Sequence, residues 1–95
     1  MILEAIERLA ATTNAEVLAR IDGRPIHAFR FGTDDRTAPA LLVTGGVHGL
    51  ERIGAEVAVA FLTTITARLR WDAVLRTALE RTRILVIPVV NPVGL

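Results

Sequence analysis

Two apolar runs of strand length, Ala40-Leu41-Leu42-Val43-Thr44 and residues 84–90, stand on either side of a long stretch of helical periodicity. Neither run alternates with polar residues, so neither has a face to give to water, and each requires cover on both sides. This constrains the chain more than any other feature. Both runs belong inside a layered α/β sheet, with helices or further chain against each face.

The remaining segments fill in that architecture. Residues 2–11 predict a short amphipathic helix with Ile2, Ile6, Leu9 and Ala10 on one side, broken at Thr12-Thr13-Asn14. Residues 17–21 and 26–31 predict two strands joined at Asp22-Gly23, a strong hairpin signal. In the second of these, His27, Phe29 and Phe31 fall on one face. Residues 32–39 are polar and predict a loop. After Gly45-Gly46, the spacing of Leu50, Ile53, Val57, Phe61, Ile65 and Leu69 predicts a helix with that stripe inward. Asp72 is placed to cap a further helix that buries Val74, Leu75, Ala78 and Leu79, with Trp71 as a packing anchor. The order β-β-β-α-α-β gives an α/β fold with a mixed sheet and flanking helices. The last apolar strand has nothing after it to cover its second face. The expectation is therefore that residues 1–95 form a single incomplete domain, the N-terminal portion of a larger fold.

Composition removes most chemistries. Mean hydropathy is +0.46 and hydrophobic residues make up 52%, which excludes disorder. The chain has no Ser, Lys, Cys, Tyr or Gln. Serine and cysteine nucleophiles, a Schiff-base lysine, a P-loop lysine, disulfides and thiolate metal ligands are all excluded. Threonine cannot act as an N-terminal nucleophile in a chain that starts at Met1. The 11 arginines against 10 acidic residues leave a net charge of +1, and the arginines are scattered, so no nucleic-acid partner is expected. Uncharged runs such as residues 37–50 and 57–67 fall short of the roughly 18 residues a membrane span needs. Glu4 and Glu7 stand where a signal peptide carries positive charge, which predicts a cytoplasmic protein.

What remains for chemistry is His, Asp, Glu, Arg, Thr and whatever a metal supplies. His48 and Glu51 stand three residues apart where the strand ending at Thr44 gives way to the helix. At that spacing on a first helical turn both side chains can reach one ion. An imidazole with a carboxylate suits zinc. Gly45-Gly46 lets the backbone turn sharply and leaves room beside a metal. The bland alternative is a loop histidine beside a carboxylate that favours the helix N-terminus electrostatically. His27 reads as a partly covered strand residue, and Asp34 and Asp35 as solvated turn acids.

The segments Gly45-Gly46-Val47-His48-Gly49-Leu50-Glu51 and Pro88-Val89-Val90-Asn91-Pro92-Val93-Gly94 resemble the zinc carboxypeptidase (M14) superfamily in kind, order and separation. Asp22-Gly23-Arg24-Pro25-Ile26 is similar to the turn into the second strand of those enzymes. The resemblance implies a zinc-carboxypeptidase-like fold, a Zn2+ cofactor, and His48 and Glu51 as the first two metal ligands. It also implies a peptide or N-acyl amino acid as substrate, because succinylglutamate desuccinylases and aspartoacylases share the same motif. Peptidase and deacylase therefore both stay open. Val93 occupies a position where many of these carboxypeptidases have Asp, which suggests a divergent bacterial branch. The family's third zinc ligand, its substrate-binding arginines and its general base come from regions with no counterpart among these residues. An inactive fragment or interaction module is thus a further reading. Thr44-Gly45-Gly46-Val47-His48-Gly49-Leu50 is also similar to the glycine-rich loop of short-chain dehydrogenases. Glu51, however, stands where that loop has Gly and would repel a pyrophosphate.

Overall fold

The computed structural model describes residues 2–47 and 52–94. It contains helix α1 (Ile2–Thr12), strands β1 (Ala15–Ile21), β2 (Arg24–Gly32) and β3 (Ala40–Thr44), and helices α2 (Arg52–Arg68) and α3 (Ala73–Ala78). Strand β4 (Arg83–Ile87) and a 3-10 turn at Pro92–Gly94 complete it. The β1–β2 hairpin turns on Asp22 and Gly23, with φ of 50° and 76°. Two successive left-handed residues are what a twist-matched two-residue hairpin turn demands. A bulge between Val17 and Ala19 interrupts the pairing.

The sheet order is β1-β2-β4-β3. β2 runs antiparallel to β4, with Phe29 opposite Val86, and β3 runs parallel to β4, with Val43 opposite Val86. The expected mixed α/β sheet is what the chain forms. β4 ends at Ile87 because Pro88 has no N–H to give to a ladder, so residues 88–90 leave the strand predicted for them. α1 and α2 pack on the sheet face that carries Phe29 and Val86. Ile6, Phe29, Ala55, Ala58, Leu62, Val86 and Val89 form the core cluster there.

Four sequence expectations are corrected. β3 is an edge strand and not a doubly covered one: Leu41 is 55% and Leu42 58% exposed. α2 turns Ala55, Ala58, Leu62 and Ile65 inward; of the predicted stripe Ile65 is buried and Phe61 and Leu69 half-buried, while Ile53 and Val57 point away. This helix is apolar almost all round, so periodicity alone does not choose its buried side. Small side chains on the chosen side let its backbone come close to the sheet. α3 buries none of its own residues: Val74 is 81% exposed, and only Leu79, at its C-cap, is buried. Trp71 is likewise exposed, with the Arg68 guanidinium 5.6 Å from its ring centroid.

Asp72 does cap α3. Its Oδ1 accepts from the Leu75 N–H at 3.0 Å, and its Oδ2 accepts from Arg68 Nε at 3.1 Å and Nη2 at 2.7 Å. The Leu75 amide, aided by Arg68 and opposed by desolvation, holds the carboxyl below the usual carboxylate range. The depressed folded-state value means that this stabilisation is complete above the unfolded pKa, near 4, and is lost as pH falls through the folded one. Acid titration followed by circular dichroism should show less loss of stability below pH ~4 in Asp72→Asn than in wild type. Urea denaturation should separate the two stripes of α2. Leu62→Ala should cost about 2–5 kcal/mol, and Ile53→Ala no more than about 0.5 kcal/mol.

Candidate metal centre

The candidate site is built on the chain exits of the two parallel strands. Beyond the formal ends of β3 and β4, the backbones stay paired. Gly45 N–H donates to the Ile87 carbonyl at 3.0 Å, Val90 N–H to Gly45 at 2.9 Å, and Asn91 N–H to Gly46 at 2.9 Å. These bonds close the C-terminal end of the β3–β4 pair, the side on which open α/β sheets place their ligands.

The two glycines serve this junction. A Cβ on Gly45 would lie 2.6 Å from the Gly54 carbonyl oxygen and 2.7 Å from that of Pro88. The β3 exit is thus wedged between the first turns of α2 and the β4 exit, at a separation only a bare backbone permits. Gly46 has φ of +58°, and a Cβ there would come within 3.1 Å of Val89 Cα. The room that glycine provides is therefore filled by protein backbone. Gly54 is the partner that sequence reasoning passed over. Its carbonyl makes the contact, and a Cβ on Gly54 itself would meet Gly46 N at 3.6 Å and Gly45 Cα at 3.9 Å, ordinary packing distances.

Asn91-Pro92-Val93-Gly94 follows directly. Pro92 is buried, and its carbonyl accepts from Arg24 Nη1 at 3.3 Å, which links the segment to the hairpin turn. His27 is half-buried, its ring 6.3 Å from that of Phe29, beside Pro25, Pro88 and Val89. This agrees with a strand residue in aromatic contact. Asp35 accepts from the Thr37 hydroxyl at 2.7 Å and its amide at 2.9 Å, and those bonds lower its pKa in an exposed turn. With Asp72 committed to its cap, these side chains assemble nothing of their own. Among the described residues, no group of three or more His, Asp or Glu could hold a metal ion.

His48 and Glu51 lie outside the described residues. The segment that carries them is bracketed by described structure on both sides, by the clamped Gly45-Gly46 pair with Val47 before it and by Arg52, the first residue of α2, after it.

Comparisons with known proteins agree with this architecture. The family model described as zinc carboxypeptidase, peptidase M14, matches residues 13–95. No curated protein matches the chain. A crystal structure from Shewanella amazonensis SB2B, of a protein assigned to the metallopeptidases, superposes with a TM-score of 0.66 at 27% identity, covering 97% of this chain and 31% of that one. A second so assigned, from Shewanella denitrificans OS217, gives 0.63 at 27% identity and covers 96% and 30%. Bovine thrombin-activatable fibrinolysis inhibitor, solved with tick carboxypeptidase inhibitor, gives 0.66 at 18% identity over 98% and 29%, a likeness of fold alone. The chain spans about a third of the length of these solved structures. The dehydrogenase-like reading is not supported: a mixed sheet with β4 between an antiparallel and a parallel neighbour lacks the parallel strand order of dinucleotide-binding folds. Among the described residues, no helix is long and apolar enough to cross a membrane.

The junction makes a direct prediction. Gly45→Ala should destabilise the chain by about 1–3 kcal/mol, since two backbone carbonyls must move to admit the methyl group. Gly23→Ala meets nothing within 4 Å, so its cost should be only that of a left-handed alanine, about 1–2 kcal/mol. Paired urea melts, with amide chemical shifts at Gly54 and Val89, should show displacement at the junction for the first variant only.

Proposed function

The chain belongs to the zinc carboxypeptidase family, and on that footing we propose that His48 and Glu51 are the first two protein ligands of a zinc site in a hydrolase. The reaction proposed is cleavage of a peptide or amide bond next to a free carboxylate. The observation that supports it best is the clamp of Gly45 and Gly46 against Ile87, Val90 and Asn91. That clamp starts the His48–Glu51 segment from a rigid platform at the ligand-binding end of the sheet. The donor chemistry fits as well. A neutral imidazole and a carboxylate are among the usual zinc donors, and a catalytic zinc takes three protein ligands.

The metal's contribution, when bound, is polarisation of the scissile carbonyl and acidification of a coordinated water. The work of this chain's own residues is to hold and orient. Gly45 and Gly46 fix where the segment begins, and α2 fixes where it ends. The carboxylate of Glu51 offers charge to the ion, and the His48 imidazole offers a nitrogen lone pair. We further propose that residues 1–95 are one incomplete domain, the N-terminal portion of a catalytic domain whose third ligand and general base come from other residues. The half-exposed Leu41 and Leu42 on β3, and Ile53 and Val57 on α2, support this.

Zinc titration by calorimetry tests the ligand assignment. The 95-residue chain should bind zinc weakly, and His48→Ala and Glu51→Gln should each abolish the heat of binding while leaving the urea midpoint within about 0.5 kcal/mol of wild type. Unchanged binding in both variants would overturn the assignment. Assays with C-terminal peptide substrates and with N-acyl amino acids should show no turnover by this chain alone. Turnover that disappears in His48→Ala would refute the incomplete-domain proposal, and the preferred substrate would then separate peptidase from deacylase.

A further inference from the structure

A shallow, solvent-open groove lies at the other end of the sheet from the candidate metal centre. It is framed by the end of α1, the Gly32 end of β2, and the junction of α2 with α3. Gly32 pairs with Arg83 at the start of β4, whereas the metal-site clamp follows Ile87 at its end. The floor is apolar, made of half-buried Phe31 and Leu69 and buried Leu79.

The rim is cationic. Arg30, Arg70 and Arg76 line the groove against one acid, Glu80. Arg30 is committed to Glu16 through Nε at 2.7 Å. Arg70 and Arg76 differ: among the described residues, neither guanidinium makes a hydrogen bond or ion pair, and Glu80, four residues beyond Arg76, forms no salt bridge with it. Thr66, in the last turn of α2, also lines the groove. Its Oγ1 is buried without a partner among the described residues, whereas Thr63 Oγ1 on the same helix donates to the Val59 carbonyl at 2.9 Å. The Ile65, Ala67 and Arg68 carbonyls are already taken by the amides of Leu69, Arg70, Trp71 and Asp72.

We propose that this groove binds a small organic carboxylate with an apolar tail. The tail lies on Phe31, Leu69 and Leu79, and the carboxylate is taken by the free guanidinium groups of Arg70 and Arg76. The depression is open to solvent, so an apolar tail can lie along its floor while planar guanidinium groups, which suit carboxylate geometry, take the head group. The proposal is independent of the zinc reading, because it uses none of the residues at the clamp.

Octanoate is the probe. Titration into the 95-residue chain, followed by Trp71 fluorescence and amide chemical shifts, should give saturable binding that maps to Phe31, Thr66 and Leu79. The double variant Arg70→Gln/Arg76→Gln should weaken octanoate at least tenfold with an unchanged melting temperature, since neither side chain holds the fold together. Arg81→Gln should bind as wild type does. The proposal is overturned if 1-octanol or inorganic phosphate binds as tightly as octanoate, if the double variant keeps its affinity, or if the shifts map elsewhere.

Discussion

Three backbones meet at Gly45 without a side chain between them, and the arrangement of the whole chain follows from that contact. The β3 exit lies against the Gly54 carbonyl in the first turn of α2, at a distance that excludes a side chain on Gly45. Ala55 and Ala58 continue the buried side of α2 from there, and Leu62 and Ile65 extend it into the core beside Phe29 and Val86. The buried side of α2 thus starts at a close backbone approach at its N-terminal end and runs on into the large apolar residues Leu62 and Ile65. Ile53 and Val57 face outward as a consequence. The same contact decides where the His48–Glu51 segment begins, since Gly46 is held by the Asn91 amide on one side and crowded by Val89 on the other.

The parts of the fold that were legible in the sequence are those fixed by local chemistry. Asp22-Gly23 announced a turn because two left-handed residues in succession suit few other sequences. Asp72 announced a cap because a carboxylate satisfies an amide that no carbonyl within the helix can reach. The mixed sheet followed from a hairpin joined to a β-α-α-β unit. What was not legible depends on neighbours. Apolar residues surround α2, so its periodic pattern is compatible with more than one buried stripe. The apolar run of β3 meant cover on both faces, but these 95 residues cover it incompletely.

The candidate site divides in the same way. His48 and Glu51 stood out because few other residues in the chain could serve a metal, and their order relative to Asn91 and Pro92 carried the family resemblance. The clamp that precedes them in the chain was hidden. Its bonds are backbone to backbone, formed by residues far apart in sequence whose side chains take no part. Gly45 and Gly46 were noticed as a turn, but that the Gly45 Cα is wedged against the Gly54 and Pro88 carbonyls needed coordinates to be seen. Arg24 was noticed for its place in a turn. Its contact with the Pro92 carbonyl, which ties that turn to the segment after β4, needed coordinates to be seen.

The two edges of the sheet are built differently, and the difference bears on what lies beside them. β1 carries Glu16 and Arg20, is interrupted by a bulge between Val17 and Ala19, and uses Glu16 to hold Arg30 of its neighbour. Charge and irregularity of this kind keep an exposed edge from recruiting another strand. β3 has neither. Its five residues are uncharged and regular in register from Ala40 to Thr44, and Leu41 and Leu42 stay more than half exposed on opposite faces. An unguarded edge with apolar side chains on both faces suits a strand that has a further neighbour. That asymmetry supports a sheet that ends at β1 and continues past β3. The neighbour's side chains would then cover Leu41 and Leu42, beside the end of the sheet from which residues 48–51 depart.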